Sequence, residues 1–249
     1  MNENLIHSVR SWSSAFGVML GTSLVSIGAE RFRSPAAQSL WSAKKFARIL
    51  DITKSDLNIT YDPAFDPDRP SVFCQNHVNL LDAFTACAAI PQPFVGLMLA
   101  WHFKIPGYGW MMKATHGIPV HKGENRTQLL SNAACDRASK GMSILTFPEA
   151  HRTADGHMRP LKRGIFFMAR DADLPVVAIA VRGMFEINRK GSGIINPGKV
   201  DVYVGPQVQT TGLDGDGISG LAQELGDAMS VYVDGEDKHG AALSAMAQR

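Results

Sequence analysis

Ser71-Val72-Phe73-Cys74-Gln75-Asn76-His77-Val78-Asn79-Leu80-Leu81-Asp82 is the stretch on which the fold turns. Its first five residues form an apolar run of strand length, and residues 80–90 read as a helix. His77 then falls in a strand-to-helix loop and Asp82 in the first helical turn. Residues five apart do not share a helix face, but a loop before the helix lets the imidazole swing back to the carboxylate. Such a loop opens at the carboxyl edge of a sheet, where sites form in α/β proteins. The pair suits general-base chemistry: the imidazole takes a proton from an attacking hydroxyl, while Asp82 fixes the tautomer and stabilises the imidazolium. A capping Asp beside a hydrogen-bonded loop histidine has the same spacing, so the neighbours must decide.

Working outward, the chain alternates strand-like runs with helices. Leu57, Ile59 and Tyr61 alternate ahead of a Pro/Asp-rich turn at residues 62–70. Further strands are predicted at residues 94–99, 118–120, 143–147, 175–181 and 200–204, with helices at 126–140 and 218–233. The rhythm predicts one α/β domain, a mixed, largely parallel sheet flanked by helices, over residues 51–235. Residues 1–50 read as membrane-associating helices, and residues 236–249 as a polar or alanine-rich tail expected to fray.

No charge occurs from Ser11 to Ala29, where Trp12, Phe16, Leu20, Leu24 and Ile27 are diluted by Ser, Thr and Gly. That composition is marginal for a bilayer span and equally suits a helix lying in one leaflet. A core-packing helix has the same appearance. Residues 38–50 form a second candidate helix, with Leu40, Ala43, Phe46 and Leu50 on one face and Lys44, Lys45 and Arg48 opposite, as anionic headgroups or plain solvent would favour.

At 249 residues the chain can bury a sizeable core, and 45% hydrophobic against 19% charged residues argues against both disorder and a multi-span membrane protein. A net charge of +2 is too mild for a nucleic-acid partner. Cys74, Cys87 and Cys135 lack CxxC spacing, which points to a reducing compartment without a disulfide framework. The start of the chain lacks the layout of a secretory signal and is expected to be retained.

A second polar loop follows another apolar strand: Phe147-Pro148-Glu149-Ala150-His151-Arg152-Thr153. By residue type alone, Glu149 and Arg152 also fit a weak surface ion pair. Taken together, the two loops resemble the 1-acylglycerol-3-phosphate acyltransferase (PlsC-like) family: His77 to Asp82 resembles its HX4D motif and Phe147-Pro148-Glu149 opens like its FPEG-type motif. Gly117-Ile118-Pro119-Val120-His121-Lys122 resembles the middle motif and Leu174-Pro175-Val176-Val177 the fourth, so the likeness covers about residues 40 to 182 in the family's order.

The resemblance implies O-acyl transfer from the thioester of acyl-CoA or acyl carrier protein to the hydroxyl of a lysolipid, at the cytoplasmic face of a membrane, with no acyl-enzyme and no further cofactor. His77 is then the base and Asp82 its orienter. Glu149 and His151 belong to the acceptor side, and Arg152, with Lys122 or Arg163, would hold an anionic headgroup. The chain departs from the family at His116 and Ala150, where glycine is usual, at His151 where Thr is usual, and at Lys122 where Arg is usual. A lysine cannot grip a phosphate as a planar fork, so these departures suggest that a lyso-aminolipid is accepted at least as well as 1-acylglycerol-3-phosphate.

Other classes fit less well. No GxSxG elbow supplies a hydrolase nucleophile and no P-loop is present. Gly215 to Gly220 has dinucleotide-like spacing but reads as the start of the last helix. His102, His116, His121 and His157 have no metal-like partner spacing, so no metal is predicted. A non-catalytic lipid-binding module would keep the scaffold, although intact His77 and Asp82 argue against it. The block Trp101, Phe103, Tyr108, Trp110, Met111 and Met112 is either core or the lining of an acyl-chain tunnel.

Overall fold

The computed structural model describes residues 3–106, 108–123 and 126–248. Helices α1 (Glu3–Ala29) and α2 (Pro35–Ile52) precede β1 (Ser55–Tyr61), β2 (Val72–Gln75), α3 (Asp82–Ala89) and β3 (Phe94–Leu99). A 3₁₀ turn (Ala100–Lys104) leads to α4 (Tyr108–Ala114), β4 (Ile118–Val120), α5 (Arg126–Ala138) and β5 (Ser143–Thr146). The chain continues through α6 (Gly164–Asp171), β6 (Val176–Arg182), α7 (Met184–Ile187), β7 (Gly198–Val208), α8 (Gly215–Val233), α9 (Ala241–Ser244) and a final 3₁₀ turn (Ala245–Gln248).

The seven strands form one sheet in the order β1-β7-β6-β2-β5-β3-β4. All neighbours are parallel except β6 and β7, so β1 and β7 run against the other five. Side chains alternate across the sheet with period two and are buried on both sides. Val176, Ala178 and Ala180 of β6 face a core closed by α5, α6 and α8, whereas Val177, Ile179 and Val181 face one closed by α2 and α3. Two helical layers enclosing a largely parallel sheet make the predicted fold class.

Sequence punctuation explains several element starts. Ser34 accepts from the Ala37 amide at 3.2 Å with proline next in line, which starts α2. Asp214 likewise caps α8 through the Gly217 amide at 2.8 Å, so the glycine-rich run there is a helix start. By contrast α6, absent from the sequence reading, opens after Arg163 with no side-chain cap to announce it.

Two expected divisions of the chain differ from the structure. Phe46, Ile49 and Leu50 of α2 are buried with Phe84 in the core, so α2 is part of the domain and the cut at residue 50 runs through packed side chains. The tail expected to fray instead docks. Leu243 and Met246, three apart along the terminal helical turns, are buried in the core beside Tyr203.

Helix α1 is inverted relative to a core helix. It buries Ser8, Ser11, Ala15, Thr22, Ser23 and Ser26 and exposes Val9, Phe16, Leu20, Leu24, Val25 and Ile27. It is also tied to the domain along its length. Ile195 donates its amide to Ser8 Oγ at 2.9 Å, Trp12 Nε1 donates to the Gly193 carbonyl at 2.8 Å, and Ser26 and Ser42 share a hydrogen bond at 3.0 Å.

Candidate active site

Strands β6, β2 and β5 are adjacent and parallel, so the loops after their carboxyl ends gather at one edge of the sheet. The loop after β2 carries His77, and Asp82 is the first residue of α3. Their side chains meet at 2.8 Å, from His77 Nδ1 to Asp82 Oδ2. The same oxygen accepts the amides of Val78 at 2.5 Å and Asn79 at 2.9 Å. Asp82 is 1% exposed, and its Oδ2, already the acceptor of two amides, accepts from Nδ1 as well, which leaves Nε2 as the imidazole's own acceptor. His77 itself is partly exposed, and its ring stacks on Phe147 at 4.3 Å between centroids.

Two asparagines from the opening stretch, which the sequence reading passed over, hold this loop. Asn76 pairs with the Val181 main chain in both directions, and Asn79 Nδ2 donates to the carbonyls of Met184 and Asn188 at 2.7 and 2.9 Å. Their signal was visible as amides inside an apolar strand-to-helix turn, where buried polar groups need partners.

Glu149 is 2% exposed and makes no ion pair with Arg152 among the described residues. One carboxylate oxygen accepts the His77 amide and the other the Arg159 amide, each at 2.7 Å. Burial pushes its carboxyl above the usual range, against the pull of those two amides and of His77. Glu149 thus braces the histidine loop from behind. The Thr153 amide donates to the His77 carbonyl at 2.8 Å, stitching the second polar loop to the first.

The remaining predicted residues are less concentrated. Arg152 is half-buried, and its guanidinium forms no ion pair or hydrogen bond among the described residues. His151 and Lys122 are exposed, and Lys122 follows β4 at the far edge of the sheet. Arg163 donates to Ser219 Oγ on α8 at 3.0 Å. His116 and Ala150, which replace the family's glycines, both have left-handed backbone, at φ 57° and 64°. These two departures therefore concern turn geometry, where glycine is favoured, and not the headgroup charge carried by Lys122.

Beside the site lies an apolar cavity of about 240 Å³, lined by Trp12, Phe16 and Met19 of α1, Phe46 of α2, Leu80, Phe84 and Cys87 near α3, and Phe94, Tyr108, Met112 and Phe147. It reaches the ring on which His77 stacks. Of the aromatic and methionine block, Tyr108 and Met112 face the cavity, Phe103 packs against the core and Trp101 and Trp110 are exposed; the side chain of Met111 lies outside the described residues. Burial raises the Cys87 thiol to about 12, so it offers no thiolate nucleophile.

The site is thus a strand-to-helix His–Asp pair beside an apolar cavity, braced by a glutamate from the loop after the next parallel strand, on an α/β scaffold. The Acyltransferase family profile matches residues 56–182, just over half the chain, and the chain belongs to that family. It is 34% identical over 139 residues to a chloroplastic 1-acyl-sn-glycerol-3-phosphate acyltransferase of Brassica napus, covering 55% of this chain and 40% of that one. It is 27% identical over 169 residues to the alpha 1-acyl-sn-glycerol-3-phosphate acyltransferase of Mus musculus, covering 66% and 59%. The match thus takes in less than two thirds of either relative. The 1-acyl-sn-glycerophosphate acyltransferase PlsC of Thermotoga maritima has the same fold, with a TM-score of 0.76 at 18% identity over 93% of this chain and 97% of that one.

Proposed function

We propose that this protein transfers a fatty acyl group from a thioester, acyl-CoA or acyl carrier protein, to the hydroxyl of 1-acylglycerol-3-phosphate. The proposal rests above all on the 2.8 Å bond from His77 Nδ1 to Asp82, which leaves Nε2 free to take a proton. As the acceptor hydroxyl attacks the thioester carbonyl, its proton passes to Nε2 and Asp82 stabilises the resulting imidazolium. The C–S bond then breaks, and the departing thiolate takes the proton back from His77 and leaves as the thiol. The apolar cavity at Phe147 suits an acyl chain, and the neighbouring half-buried Arg152 suits a phosphate. The relatives' names support the same acceptor.

Membrane association follows from α1. A helix with serine inside and leucine outside suits hydrocarbon, and its bonds at Ser8, Trp12 and Ser26 keep it against the domain. It therefore lies in one leaflet, although it is long and apolar enough to cross a membrane. Its Trp12, Phe16 and Met19 also line the cavity, giving a lipid acceptor a path out of the bilayer.

Incubation with a panel of lysolipids and both thioester donors, with products identified by mass, tests reaction and acceptor together. An acylated product only with 1-acylglycerol-3-phosphate, or with strong preference for it, is expected. Equal use of a lyso-aminolipid would restore the weaker phosphate grip inferred from Lys122, and consumption of thioester without a lipid product would refute acyl transfer.

A further inference from the structure

The connection from β6 to β7 contributes a cation to the site that none of the motif positions includes. Lys190 Nζ donates to the Arg152 carbonyl at 3.1 Å. That carbonyl belongs to the same peptide group whose amide, on Thr153, donates to the His77 carbonyl at 2.8 Å. The peptide is planar and trans, so the Lys190 ammonium lies within about 8 Å of the His77 main chain.

Lys190 is exposed and has two further N–H donors, while the Arg152 guanidinium is unengaged among the described residues. Nearby carboxylates are bonded within their own loops and form no ion pair with either cation: Glu149 accepts an amide on each oxygen, and Asp155 Oδ1 accepts the Thr153 hydroxyl at 2.8 Å and the His157 amide at 3.1 Å. Arg189, the other cation of the connection, has its guanidinium over the Phe185 ring at 5.0 Å. Lys190 and Arg152 are thus two cations on loops that touch, the first bonded to the main chain of the second, and neither has an ion-pair partner among the described residues.

Topology favours Lys190 over Lys122 for this task. The β6 strand that leads to Lys190 is hydrogen-bonded to β2, whereas β4, which leads to Lys122, is separated from β2 by β5 and β3. At about 4.8 Å per strand, β4 lies roughly 14 Å across the sheet from β2.

We propose that Lys190 and Arg152 together bind the phosphate of the acyl acceptor, with Lys190 setting preference for an anionic headgroup; this rests on the acyl-transfer reading above. The connection is held in place by α1, through Trp12 to Gly193 and Ser8 to Ile195, so a lipid arriving along α1 meets the clamp beside His77.

The test is steady-state kinetics in neutral detergent micelles, which remove the charge of a bulk bilayer. Lys190→Ala should raise the KM for 1-acylglycerol-3-phosphate at least tenfold, changing kcat and the thioester KM less than twofold. Lys190→Arg should restore it to within about threefold, and Lys122→Ala should have a smaller effect than Lys190→Ala. With monoacylglycerol, an uncharged acceptor, wild type and Lys190→Ala should react alike. An unchanged acceptor KM overturns the proposal. So does a rise confined to the thioester KM, which would place the donor's phosphates there, or an equal loss with both acceptors, which would indicate a structural role. Wild-type protein inactive with every acceptor would instead refute acyl transfer itself, and this assignment with it.

Discussion

Glu149 gives its two oxygens to main-chain amides on different segments, His77 and Arg159, so its contribution to chemistry passes through the position of the histidine. The motif placed this residue at the site, but residue type alone suggested substrate contact or a surface pair. Only the folded chain shows that both oxygens are occupied. In Glu149→Gln the amide keeps one acceptor and turns an NH₂ toward the other amide, losing an interaction worth about 1.5–3 kcal/mol. Steady-state kinetics should show kcat lowered by about tenfold to a hundredfold with the acceptor KM nearly unchanged. A selective rise in acceptor KM would return Glu149 to substrate binding. Ala150 gives a second test at this scale. Its φ of 64° costs a residue with a Cβ about 1–2 kcal/mol, partly offset in glycine by the greater freedom of the unfolded chain. Ala150→Gly should therefore stabilise the protein by about 0.5–1 kcal/mol in urea unfolding, and a lower midpoint would show that the turn is not strained.

Among the elements, α1 is where composition and structure say different things. The uncharged run from Ser11 to Ala29 was legible, but which side faced the protein was not, because its Ser and Thr alternate with apolar residues in no clean stripe. In the structure the small polar side chains allow close approach to α2, and Leu20 and Leu24, 48% and 57% exposed, point outward. Replacing both by glutamate should leave thermal unfolding unchanged and reduce binding to anionic vesicles at least tenfold in a flotation assay. Undiminished flotation would remove α1 as the membrane contact. Removal of residues 1–50 is a poorer test, since it takes Phe46, Ile49 and Leu50 from the core.

Across the whole molecule, the fold was legible because strands buried on both faces read as short apolar runs, and because polar loops followed two of them. Five of the predicted strands match closely, β3 and β4 to the residue. The uncapped α6, the docking of the tail and the clamp from the β6–β7 connection were not legible. Each depends on contacts between segments far apart in sequence, as with Lys190 and Arg152 or Leu243 and Tyr203. The His77–Asp82 pair was legible because its two members lie within one turn of chain reversal.

The chemistry rests on one atom, the Nε2 of His77, whose partner nitrogen Nδ1 is held by Asp82. The direct measurement is kcat/KM for acyl transfer to 1-acylglycerol-3-phosphate by wild type and His77→Ala, with thermal unfolding recorded for both. Because His77 is partly exposed and its loop is held by Asn76, Asn79 and Glu149, the variant should fold normally. Its kcat/KM should fall by about 10²- to 10⁴-fold. A folded His77→Ala protein that transfers acyl groups within tenfold of the wild-type rate would contradict the assignment of His77 as the base.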